Sequence, residues 1–296
     1  MSIPRIAAYP MPDSSQVQPS KVNWQADASR TVLLVHDMQD YFLNFYDRTA
    51  APVPELIANI QRIKQLCQTL GIPVVYTAQT PEHTLEERGL LEDMWGPGIR
   101  RLPEQKNIIK ELTPNSEDTV LIKWRYSAFQ HANLQQLMHS WGRDQLIVVG
   151  IYANIGCMAT SLEAFMRDIQ PFLLIDACAD FNRDQHLLAM DFVAGRCGVA
   201  LDTDTLLGQL QAQAQPQSLP NLEQLRTSLA ELLGVSAGEI ADDDLLVDWG
   251  MDSIRMMSLL EQWQSQGADI SFADLAENLT VAGWAELLGR YNAIAA

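Results

Sequence analysis

The run TVLLVH, residues 31–36, is β-branched and apolar almost throughout, and Asp37 follows it at once. It is too short for a typical helix and shows no polar–apolar alternation, which is how a strand buried on both faces reads. Working outward, PVVYTA (73–78), TVLIK (119–123), QLIVVG (145–150), PFLLID (171–176) and CGVAL (197–201) have the same character. The stretches between them are helix-like. In PELIANIQRIKQLCQTLG (54–71), Leu56, Ile57, Ile60, Ile63 and Leu66 recur at helical spacing. This alternation predicts an α/β domain over residues 1–210, a doubly wound six-stranded parallel sheet covered on both faces. Such sheets bind ligands beyond the carboxyl ends of their strands, so the residues closing each run are the candidates for chemistry.

After residue 210 the pattern changes. QAQAQPQSLP (211–220) reads as a linker. Beyond it, NLEQLRTSLAELLG sets Leu222, Leu225, Leu229 and Leu232 on one helical stripe, and SIRMMSLLEQWQSQG places Ile254, Met257, Leu260 and Trp263 in the same way. With VAGWAELLGRY closing the chain, residues 221–296 are expected to form a small all-α domain of four helices. That segment holds 13 Asp and Glu against 3 Arg, a net of −10, whereas the whole chain of 296 residues carries −17. So acidic a chain is a poor ligand for nucleic acid, and the local excess suits a docking surface for basic partners. The four cysteines, Cys67, Cys157, Cys178 and Cys197, form no CxxC pair, a weak pattern for a metal or a disulfide framework. No stretch approaches the length of a membrane span, and prolines break the N-terminal MSIPRIAAYPMPDSS. A cytoplasmic protein without metal is expected.

At the strand ends stand Asp37, Gln79, Lys123 and, in the turn after QLIVVG, Gly156, where YANIGCMATSLEAF opens a helix. Singly these are weak signals, since an Asp after a strand is commonly a cap and a terminal Lys is commonly solvated. Brought to one sheet edge, a carboxylate beside an ammonium is a plausible general acid or base with its charge partner. A helix starting near Gly156 would add N–H groups suited to an anion.

HDMQDYF (36–42), KWRYSAF (123–129), GIYANIGCMATSLEAFMRDIQPF (150–172), YTAQTPEHTLEERGLLEDMWGPG (76–98) and DFNRDQHLLAMDFVAGRCG (180–198) together resemble the isochorismatase-like hydrolases, in particular the isochorismatases of catecholate siderophore synthesis. The resemblance implies Asp37 as general acid with Lys123 as its partner. It sets Gly156 where thiol-dependent members carry a nucleophilic Cys, with Cys157 one place on. It further implies Gln79, Arg88, Tyr152 and the Gly156 backbone as substrate contacts, with Phe42 and Trp95 walling the pocket. Loss of the thiol agrees with the chemistry. Isochorismate is a vinyl ether, and protonating its methylene carbon gives an oxocarbenium-like species that water captures, with no acyl-enzyme. An arginine such as Arg88 also suits a dicarboxylate, although in LEERGLL it reads equally as a solvated helix residue.

DWGMDSIRMM (248–257) resembles the attachment site of acyl and peptidyl carrier proteins, with Ser253 as acceptor of 4'-phosphopantetheine. Read without that resemblance, Ser253 is a helix cap. The two halves together look like bifunctional isochorismatase/aryl carrier proteins. The resemblance then implies as partners isochorismate, a phosphopantetheinyl transferase (with Mg²⁺ for its reaction), a 2,3-dihydroxybenzoate-adenylating enzyme and a condensation domain of a non-ribosomal peptide synthetase. A homodimer through the hydrolase domain is expected. Two rival readings stand beside this one: an amidohydrolase using Cys157, and a non-catalytic scaffold on which only the carrier works.

Overall fold

Val32 and Leu34 of strand β1 (Thr31–His36) point to one side of a sheet, Leu33 and Val35 to the other, and all four are fully buried. The same two-sided burial holds in β2 (Val74–Ala78) and β4 (Gln145–Ile151), which flank β1 and pair with it in parallel. A residue alternates sides along a strand, so a run apolar at every position must have a layer on each face. The computed structural model, which describes residues 3–214, 219–265 and 268–295, supplies both layers. The helices Val53–Thr69 and Thr203–Ala214 pack on the face of Leu33 and Val35. The helices Leu134–Ser140 and Arg183–Arg196 cover the face of Val32 and Leu34.

The sheet has six strands in the order β3-β2-β1-β4-β5-β6, with β3 at Thr119–Ile122, β5 at Gln170–Ala179 and β6 at Val199–Leu201. Every neighbouring pair is parallel. The order reverses between β1 and β4, which opens a crevice at their carboxyl ends. Strand β5 runs three residues past the expected PFLLID, and its pairing with β4 shifts register between Val148 and Gly150.

The chain divides into two compact units, residues 1–214 and 215–296. The helix Thr203–Ala214 carries the first unit four residues beyond the expected boundary at 210, so 211–214 are helical rather than linker. Residues 215–218 of the expected linker lie outside the described residues. Among the described residues the second unit has four α-helices, Leu222–Leu233, Ser253–Ser265, Phe272–Glu277 and Val281–Ala295. They close over Leu225, Leu229, Leu246, Leu260, Trp263 and Trp284, with the two indoles edge to face at 5.7 Å. One expected stripe is wrong here. Met256, Leu259, Leu260 and Trp263 form the buried face of the Ser253–Ser265 helix, whereas Ile254 is 81% exposed. A 3.6-residue period is satisfied by either set when the helix is apolar on most sides, and packing decides between them. Among the described residues no helix is long and apolar enough to cross a membrane.

Candidate active site and carrier helix

Asp37 is the first residue past β1 and lies in the left-handed region at φ 50°, a conformation that Asp tolerates better than most side chains. Its carboxylate is enclosed. Oδ2 lies 2.8 Å from the Lys123 ammonium, Oδ1 accepts from the Thr77 hydroxyl at 2.7 Å, and its backbone N–H donates to the same hydroxyl at 3.1 Å. Both charged residues are buried. Burial pushes the Asp37 carboxyl up, but Lys123, His36 and Thr77 outweigh it and hold the group below its ordinary value. Lys123 also donates to the Arg125 carbonyl at 2.8 Å, which leaves one of its three N–H groups for a ligand.

The crevice above this pair is a cleft whose lining includes Asp37, Phe42, Gln79, Arg88, Trp95, Lys123, Tyr152 and Gly156. All eight hydrolase-site residues named from the sequence therefore meet in one place, delivered by the ends of β1 to β4 and by the loop between β2 and β3. Arg88 is not a solvated helix residue: it is buried, donates to the Gly96 carbonyl at 2.9 and 3.1 Å and to the Gln79 side-chain oxygen at 3.3 Å, and among the described residues has no carboxylate within ion-pair distance. Gly98, at φ 56°, makes room for it, since a Cβ there would stand 2.5 Å from its Nη2. An enclosed guanidinium without a counter-charge is costly until an anion arrives. With Lys123 it gives the cleft two cations against the single carboxylate of Asp37.

The helix after β4 differs from expectation. A π-helical turn starts at Ala153 and runs to Cys157, before the α-helix Met158–Phe165, so Gly156 lies inside the turn and not at its opening. What sits against Gly156 was not foreseen. The His36 ring packs on it so closely that a Cβ at 156 would fall 2.1 Å from Cε1. The ring lies between the Ile151 carbonyl, 2.7 Å from Nδ1, and the Tyr126 carbonyl, 3.1 Å from Nε2, and in its neutral form donates to one of them. Burial pushes the His36 imidazole below its ordinary value. Cys157 points elsewhere. It is fully buried in the core of the opposite face, outside the cleft lining, and burial with the neighbouring Cys178 holds its thiol well above its ordinary value.

Aromatic rings build the rest of the wall. Phe181, after β5, stacks on Tyr152 at 4.4 Å and on Trp95 at 6.1 Å, and Phe42 meets Tyr152 edge-on at 6.0 Å. Trp95 Nε1–H donates to the Tyr126 hydroxyl at 2.8 Å. Sequence reading missed His36, Tyr126 and Phe181. The first was counted as the end of a strand, and the others stand in motifs, KWRYSAF and DFNRDQH, whose individual residues carried no separate signal.

In the second unit, Ser253 is the first residue of its helix and is exposed. It is not the cap: Asp252 Oδ1 accepts the Arg255 N–H at 2.9 Å, the capping bond. Among the described residues the Ser253 hydroxyl has no hydrogen-bond partner. On the same helix Ile254, the next residue, and Met257, one turn on, are exposed apolar side chains. An accessible, uncommitted hydroxyl rimmed by apolar groups fits a long covalent prosthetic group.

Fold and site define an α/β enzyme domain with a buried acid–ammonium pair in an anion-seeking cleft, followed by an acidic helical carrier unit. Residues 31–205 match the isochorismatase domain family and residues 223–288 the phosphopantetheine attachment site family. The chain belongs to the isochorismatase family. It is 46% identical to isochorismatase of Bacillus subtilis, over 97% of this chain and 96% of that protein. It is also 46% identical to enterobactin synthase component B of Escherichia coli K12, over 98% of this chain and 99% of that one. A solved cysteine hydrolase from Pseudomonas syringae shares the fold, with a TM-score of 0.61 at 21% identity, over 66% of this chain and 99% of that chain.

Proposed function

We propose that this protein hydrolyses isochorismate to pyruvate and 2,3-dihydro-2,3-dihydroxybenzoate, and carries an activated aryl acid as a phosphopantetheine thioester for non-ribosomal siderophore synthesis. The observation that carries the first half is the Asp37–Lys123 pair, buried beneath a cleft that also holds the unpaired Arg88 and has no side chain at position 156. Arg88, Gln79 and the free N–H of Lys123 take the carboxylates of the substrate, while Phe42, Trp95 and Tyr152 enclose the ring. In the free protein Asp37 is ionised. A dicarboxylate placed beside it raises its proton affinity, so the substrate arms its own acid. Asp37 then delivers a proton to the methylene carbon, and water adds to the resulting cation and returns a proton to the pair. The hemiketal collapses to pyruvate and the diol. No thiolate takes part, which agrees with the burial of Cys157.

Ser253 is the proposed attachment point, loaded by a transferase that uses coenzyme A and Mg²⁺. The prosthetic group supplies a thiol that holds the acyl group as a reactive ester. This chain contributes an accessible hydroxyl and an acidic surface for an aryl-adenylating enzyme and a condensation domain. The carried acid is 2,3-dihydroxybenzoate, with salicylate as the alternative, and the proposal extends to a homodimer through the hydrolase unit. Incubation with isochorismate should release one pyruvate per substrate. Release of ammonia from carboxamides with no pyruvate from isochorismate would overturn this reading.

A further inference from the structure

Asp180 follows β5 and is fully buried, yet the acid chemistry makes no use of it. The register shift between β4 and β5 pairs Gly150 with Cys178 and Ile151 with Ala179, which brings Asp180 alongside Tyr152. Every polar atom of this residue is engaged, and three of its four bonds reach other segments of the chain. Oδ2 accepts the Asn154 N–H at 2.5 Å, in the π-helical turn, and Oδ1 accepts the Phe181 N–H at 2.8 Å. Its backbone N–H donates to the Tyr9 hydroxyl at 2.7 Å, and its carbonyl accepts from the Tyr46 hydroxyl at 3.1 Å. The side-chain oxygen of Asn154 is itself buried without a partner, so the bond to Asp180 is what ties this residue across to β5.

We propose that Asp180 is a positioning residue of the hydrolase site: its carboxylate ties the turn bearing Tyr152 and Gly156 to the strand end bearing Phe181, and so holds the aromatic wall in place over the Asp37–Lys123 pair. The proposal rests on the hydrolase reading above. Protonation would cost one oxygen its acceptor strength and loosen the tie. The titratable groups facing Asp180 are the hydroxyls of Tyr9, Tyr46 and Tyr152 and the thiol of Cys157, with His186 behind Tyr9. Burial pushes Tyr9, Tyr46, Tyr152 and Cys157 up and His186 down, so each is neutral near pH 7. Among the described residues no cation lies within ion-pair distance of the carboxylate. Burial accordingly pushes Asp180 up to about 6, against the opposing pull of the Asn154 and Phe181 N–H groups.

The test compares wild type with Asp180→Asn, measuring kcat and KM for pyruvate release from pH 5 to 8 alongside thermal melting. Wild type should lose kcat/KM on the acid side with a midpoint near 6. A folded Asp180→Asn protein should lack that acid limb and have kcat/KM lowered roughly 10- to 100-fold at pH 7.5, the scale expected of a small misplacement. An Asn variant keeping the wild-type limb, or the wild-type kcat/KM, would overturn the proposal. If the variant does not fold, wild type alone decides. In ¹³C-aspartate-labelled protein, one carboxyl should titrate near 6 together with ring resonances of Phe181 and Tyr152, and rings that ignore that midpoint overturn the tie. Absence of pyruvate from wild type at every pH is a different failure. It removes the hydrolase reading, and the resonances still report whether Asp180 holds the wall.

Discussion

At Asp37, burial and charge pull in opposite directions, and three neighbours decide the outcome. Replacing the acid by its isostere, Asp37→Asn, should lower pyruvate release by about 10²–10⁴-fold, the usual worth of a positioned acid, with the fold retained. Because the folded-state carboxyl lies below its unfolded value, Asp37 contributes stability above the unfolded value, and loses it as pH falls through the folded one. Asp180 has the opposite sign. Its carboxyl is raised from 3.8 to about 6, so its contribution is complete below 3.8 and is lost as pH rises through 6. Two pH units correspond to about 3 kcal/mol. Denaturant titrations should therefore show Asp180→Asn lacking that much of the pH dependence between 4 and 6; an unchanged slope would remove Asp180 as its source. Gly156 gives a third test. The His36 ring is buried and a Cβ at 156 would fall 2.1 Å from it, so Gly156→Ala should cost about 1–3 kcal/mol by overpacking. Adding His36→Ala should recover part of that loss in thermal melts, since the two positions share one space.

The loop between β2 and β3 holds Arg88 by the Gly96 carbonyl and by the absence of a side chain at 98. Gly98→Ala strains a positive φ and displaces the guanidinium. A lost charged hydrogen bond is worth about 1.5–3 kcal/mol, so KM should rise roughly ten- to a hundredfold with kcat less affected. An unchanged KM would show that Arg88 does not bind substrate. In the second unit the helix Ser253–Ser265 separates capping from acceptance. Asp252→Ala should weaken the first turn by about 0.5–2 kcal/mol, read as faster amide exchange there, whereas Ser253→Ala should leave exchange nearly unchanged. Equal effects would return Ser253 to the role of a cap.

For the molecule as a whole, two units with separate cores imply two separable activities. Ser253→Ala should keep pyruvate release and lose the mass increment added by coenzyme A and a phosphopantetheinyl transferase; an increment still present on the variant would exclude Ser253 as the attachment point. The kind and order of the elements were legible in the sequence, because a strand buried on both faces writes its burial into every residue and an amphipathic helix into every third or fourth. TVLLVH matches β1 residue for residue for that reason. The strand ends pointed to Asp37, Gln79, Lys123 and Gly156, and the family resemblance added Phe42, Arg88, Trp95 and Tyr152, all of which line the cleft. Only the tertiary structure decided how those residues act. That Lys123 meets Asp37 at 2.8 Å follows from the strand order, and that Arg88 is unpaired follows from how a loop folds over glycine. The His36 ring against Gly156, the Asp180 tie across a shifted register, and the exposure of Ile254 beside Ser253 are of the same kind. Such contacts join residues far apart in the chain, and local periodicity carries no record of which distant partner a side chain will meet.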